Sequence, residues 1–110
     1  MAHLDVKELF TAMLGAAKIV LIKHWKDAAP YAEKEMKGFG ENLVMIGKLK
    51  AEGLITIEQA RIHLSIQKNS SRIVLCTIEG LGILAVENAL NAAIDVVRGK
   101  VNTAIGWQLL

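Results

Sequence analysis

The chain has 110 residues, of which 53% are hydrophobic, with one proline, one cysteine and a formal net charge of +2. That length leaves room for a single domain spanning 1–110, barely large enough to bury a core alone. The charge is divided too evenly to argue for a nucleic-acid partner, with eight Lys against seven acids in 1–55 and five basic against four acidic residues in 56–110.

Apolar positions are filled mainly by Leu, Ile, Val and Ala, with only 5% aromatics. This mix favours helix over a β-rich domain, so an all-α protein is expected. At the start, Asp5 and Glu8 stand at the spacing of a capping box. The run "LFTAMLGAAKIVLI" that follows resembles a signal-peptide core, but acids precede it and Lys18 interrupts it. A secreted protein is therefore not expected.

From there an apolar stripe recurs every eleven residues: Phe10, Leu14, Ala17; Leu21, Trp25, Ala28; Ala32, Met36, Phe39; Leu43, Ile46, Lys50. Such a period gives nearly straight packing. It predicts one helix over about 5–51, kinked near Pro30, which removes a hydrogen bond. "KLKAEG" supplies a basic last turn and a glycine stop at Gly53. Thr56 and Gln59 form a second capping box, opening a helix over about 57–108. "KNSSR" at 68–72 could restart that helix with Ser70 as a cap. The expected fold is thus a long antiparallel two-helix hairpin that self-associates into a four-helix bundle or larger assembly. In this hairpin residue i lies beside residue 108 − i. Were both Pro30 and 68–72 to break, the chain would instead be a compact four-helix bundle.

The stretch "IVLCTIEGLGILAVENALNAAIDVV", residues 73–97, is apolar enough to pose the question of a membrane span. It carries Glu79, Glu87 and Asp95 with Asn88 and Asn91. A central acid costs ~2.5–3.5 kcal/mol on the insertion scale, against ~0.3–0.6 returned by each Leu or Ile, so a span is not expected. Two stripes stand out instead. One is small: Gly82, Ala85, Ala89, Ala92, then Val96, Gly99, Thr103 and Gly106. The other is bulky: Ile83, Val86, Leu90, Ile94, Val97, Val101 and Ile105. A lone partner helix covers one stripe and not two, so these residues are expected to form an oligomer interface. The tail "NTAIGWQLL" lacks an evident stop, and Trp107 is expected to anchor it across a neighbouring subunit.

Candidate chemistry is sparse. His3, His24 and His63 are too far apart along a rod to share a site. His24 and Asp27 share a helix face, with Glu87 close in the hairpin register. These three are the candidate metal ligands; the plainer reading is a polar cluster of Lys23, His24 and Glu87 flanking Trp25. No Cys-His pair, phosphate loop or Ser-His-Asp pattern can be assembled, so neither enzymatic activity nor a cofactor is expected. The basic tip of Lys48, Lys50, Arg61, Lys68 and Arg72 reads as a solvated helical end. Cys76, in an apolar run, is expected to be a buried thiol of a reducing, cytoplasmic compartment. The function expected is that of a non-enzymatic, self-associating structural or scaffolding subunit, a homo-oligomer of two or more chains. A bundle binding a metal or small apolar ligand, or a peripheral amphipathic membrane protein, are the alternatives.

Overall fold

The computed structural model describes residues 4–110, so His3 lies outside the described residues. Among the described residues there are four α-helices and no strand: α1 (Val6–Val20), α2 (Trp25–Ala51), α3 (Ile57–Cys76) and α4 (Ile83–Ile105). Asp5 caps α1 by accepting from the Lys7 backbone N–H at 2.9 Å. Neither bond of the expected box forms, since Asp5 accepts from Lys7 rather than from the Glu8 N–H, and the Glu8 carboxylate pairs with Lys100 of α4. The expected turn at 52–56 is present in full. Gly53, at φ +70, closes α2 with bonds from Gly53 N–H to Lys50 carbonyl and from Leu54 N–H to Leu49 carbonyl. Thr56 then opens α3 with both capping-box bonds, to and from Gln59.

Each of the two long helices expected from the sequence is broken once, and neither break falls where it was expected. The first arm breaks at Leu21, followed by a 3-10 turn over Ile22–His24. Pro30 remains inside α2. The proline ring conflicts with the carbonyl four residues before it, that of Lys26. Breaking the chain just upstream places that conflict in the first turns of a new helix rather than in the middle of a long one. The second arm runs straight through "KNSSR" and breaks at 77–82, between α3 and α4. Ser70 caps no helix but lies inside α3, and Ser71 beside it is fully buried and bonded to Glu35. The break falls where Gly80 adopts φ +82, a value that L side chains resist.

The four helices pack as an up-down-up-down bundle of 43 × 22 × 19 Å. At 27 residues α2 is ~40 Å long and spans the long axis. α1 packs most closely on α4 and α2, α3 lies against α2 and α4, and α2 also meets α4 across the bundle. Phe39 is the one fully buried ring in an otherwise aliphatic core, in which Leu9, Met13, Leu21, Met36 and Leu43 are also fully buried. The expected register survives the folding. Lys100 donates to Glu8, Ser71 to Glu35, and Asn42 to Gln67, each pair within two positions of the rule that i faces 108 − i.

Candidate functional site

The three candidate metal ligands are not brought together. His24 sits in the 3-10 turn, exposed Asp27 opens α2, and Glu87 on α4 forms an ion pair with Arg72 of α3. Among the described residues no group of three or more His, Cys, Asp or Glu could hold a metal ion. Nor, among the described residues, is any helix long and apolar enough to cross a membrane.

Polar side chains gather instead along the seams of α3. On its α2 side, Ser71 Oγ donates to Glu35 Oε1 at 2.9 Å, while Gln67 Nε2 donates to Ser71 Oγ at 3.3 Å. Asn42 donates to the other end of the Gln67 amide. On its α4 side, Arg72 donates to Glu87, and Lys68 Nζ donates to Asn91 Oδ1 at 3.0 Å. The hydrogen bond from Arg72 holds the Glu87 carboxyl below its ordinary value, and Glu87 in turn raises the Arg72 guanidinium. Every buried side-chain N or O among the described residues has a partner, so these seams fix register rather than hold unsatisfied groups for a ligand.

The residues expected at an oligomer interface fall into two sets. Val86, Ala89, Leu90, Ile94, Val97, Val101 and Ile105 are buried in this chain's own core, and Ala85 and Ala92 are half-buried. Folding each arm back covers the bulky stripe of α4 beyond Ile83 with the other helices of the same chain, whereas of the small stripe Val96, Gly99, Thr103 and Gly106 stay exposed. Gly82, Ile83 and Leu84 stay exposed at the α3–α4 joint. The tail is held on its own chain too. Gly106, at φ +83, ends α4 with its N–H bonded to the Asn102 carbonyl, a stop hidden in the sequence among small residues. Asn102 Oδ1 accepts from the N–H groups of Leu109 and Leu110 at 3.0 Å, and Arg61 donates to the Gln108 carbonyl. Lys50 donates to the Ile105 carbonyl and lies 5.0 Å from the Trp107 ring centroid, a cation–π distance. Trp107 is thus half-buried against its own core.

A groove between the start of α1 and α2 is lined by Val6, Phe10 and Pro30 together with three lysines (7, 34 and 37) and two acids, Asp5 and Glu33. It lies open to solvent along its length, unlike pockets that bury most of a ligand's surface.

The feature that sequence reasoning missed lies on α3. Ile62, Ile66 and Ile73 are 61–68% exposed. With Asn69 and Cys76 they form one outward stripe at steps of four, three, four and three, opposite buried Leu64, Ser71 and Leu75. Cys76 is therefore exposed, not the buried thiol expected, because its place in that heptad turns it away from the core. The heptad was present in the sequence, but "QKNSS" made this segment look polar. No family model, no curated protein and no solved structure matches the chain.

Proposed function

We propose that this chain is a self-associating helical-bundle subunit with a structural role in assembly or scaffolding, paired through the outer face of α3. The supporting observation is the exposed isoleucine stripe. Its spacing is that of a coiled-coil seam, and a single Asn within such a seam selects register at some cost in stability. Ser65, Ser70 and Thr77 flank it along with His63 and Arg72, and Arg72 is drawn to Glu87 of α4. Burying the exposed part of each isoleucine contributes about 1–2 kcal/mol. Six of them in a dimer give roughly 6–12 kcal/mol, against ~4–15 kcal/mol lost on association. A dimer of micromolar affinity or weaker is the outcome, suited to assembly by multiplicity. The exposed free thiol at Cys76 accords with a reducing compartment.

Sedimentation equilibrium from 1 to 500 μM checks the reading, the concentrations being on the order of that affinity. Rapidly reversible association, lost at once on dilution, should appear in the natural chain and be absent from Ile66→Asp and Ile73→Asp, whose side chains face solvent and should leave the fold intact. A natural chain that stays monomeric throughout would sink it.

A further inference from the structure

The register has a consequence for how two chains can combine. α1 with α4, and α2 with α3, keep the partners they would have in an unbroken hairpin. Folding back adds one further set of contacts, made by the α1/α4 pair against the α2/α3 pair. Arg72–Glu87 and Lys68–Asn91 belong to this closing interface. The two bends lie at the same level, since a Cβ on Gly80 would stand 4.0 Å from His24 Nε2.

Both bends are within reach of a straight helix. Leu21 (φ −97, ψ 18) departs from helical values mainly in ψ, His24 (φ −119, ψ 13) in φ and ψ alike, and Trp25 is already helical. The other bend depends on Gly80 at φ +82 and on Gly82, extended at φ −75 and ψ 157. The bend end is also apolar where it meets water: Ile19, Ile22, Ile83 and Leu84 are 60–77% exposed.

We propose that two copies of this chain exchange halves. In each copy α1 straightens into α2 and α3 into α4, and the α1/α4 pair of one packs on the α2/α3 pair of the other. All closing contacts are kept, now made between chains, which is why such exchange is a low-cost route to a dimer. The bend ends of the two lobes meet at the dimer centre, where Ile19, Ile22, Ile83 and Leu84 of both chains are covered. Closing within one chain needs no partner and dominates when dilute; exchange dominates when concentrated. Interconversion is slow because the closing interface must open first. The exchange uses no residue of the α3 stripe and stands independently of it.

The test starts in the Ile66→Asp background, which silences the α3 face. The protein is refolded from denaturant at concentrations from micromolar to millimolar and separated by size exclusion with light scattering. An elongated dimer that persists for hours after dilution is expected. Gly80→Ala should raise the dimerisation constant on the order of a hundredfold or more, because alanine resists the left-handed conformation that only the closed form requires. No atom crowds that Cβ more closely than His24 Nε2 at 4.0 Å, so the effect is one of backbone. Charge reversal identifies the exchange itself. Arg72→Glu and Glu87→Arg each put like charges across the closing interface within one chain, but refolded together they pair correctly in both lobes of an exchanged heterodimer. Heterodimer well above the random half is expected. Monomer alone at every concentration, a dimer that dissociates within minutes, no response to Gly80→Ala, or random pairing of the charge variants would each overturn the proposal.

Discussion

Ser71→Ala is the sharpest probe of how α2 and α3 are held together. Ser71 is fully buried, and its hydroxyl donates to Glu35, a buried carboxylate, while accepting from Gln67. A hydrogen bond to a charged group is worth about 1.5–3 kcal/mol, and the substitution leaves the carboxylate without that donor. Alanine returns roughly 0.5 kcal/mol in helix propensity. The expected net loss is about 1–2.5 kcal/mol, a fall in Tm of roughly 4–12 °C for a domain of this size. Urea unfolding followed by circular dichroism measures it, with the slope against denaturant unchanged if the transition remains two-state. Removing both partners should be milder than removing one. In the double variant Ser71→Ala with Glu35→Met, two apolar groups replace the pair and no buried charge is left unpaired. The double variant should therefore be more stable than Ser71→Ala alone, a coupling of about 0.5–3 kcal/mol. If Ser71→Ala melts at or above the natural temperature, or if the two substitutions simply add, the Ser71–Glu35 bond does not hold this seam.

Gly106→Ala should cost about 1–2 kcal/mol, because φ +83 suits glycine and a Cβ would stand 2.9 Å from Lys50 Nζ; lowered Tm with altered Trp107 fluorescence is the readout, and an unchanged spectrum and melt would mean the tail is not held there. Stability should also fall in acid. Glu87 is held below its ordinary value of 4.5 by the bond from Arg72, so its contribution is complete above that value and is lost as pH drops through the lowered one. Glu87→Gln should flatten this part of the pH–stability curve, and a curve of unchanged slope would show that the pair contributes nothing measurable.

Much of the fold was legible because helix ends and helix faces are written locally. Thr56 with Gln59 and the glycine at 53 fix the central turn through bonds spanning five residues or fewer. The eleven-residue stripe also names the inner face: Ala17, Leu21, Ala28, Ala32, Met36, Phe39, Leu43 and Ile46 are all buried. Its limit appears at Leu9 and Met13, which are buried beside the stripe rather than on it, because α1 faces both α2 and α4. A stripe designed for one partner helix does not reveal a second.

The joints were harder for a different reason. Near Leu21 no glycine or proline marks a break, and the local sequence is as helical as its surroundings. At 77–82 the glycines of "EGLG" were a signal, but in so small-residue-rich a helix they read equally well as close-packing positions. The bulky stripe of α4 requires cover and does not specify whose. A hairpin folded back on itself and two straight hairpins side by side bury the same core side chains against the same helices, at the same register, and differ at the bend ends. The pattern that predicts self-association is therefore the pattern that makes closure within one chain possible. Which form prevails rests on a few backbone angles at Leu21, His24 and Gly80, and on chain concentration. Periodicity cannot encode either quantity, whereas a single methyl group at position 80 acts on the first and simple dilution on the second.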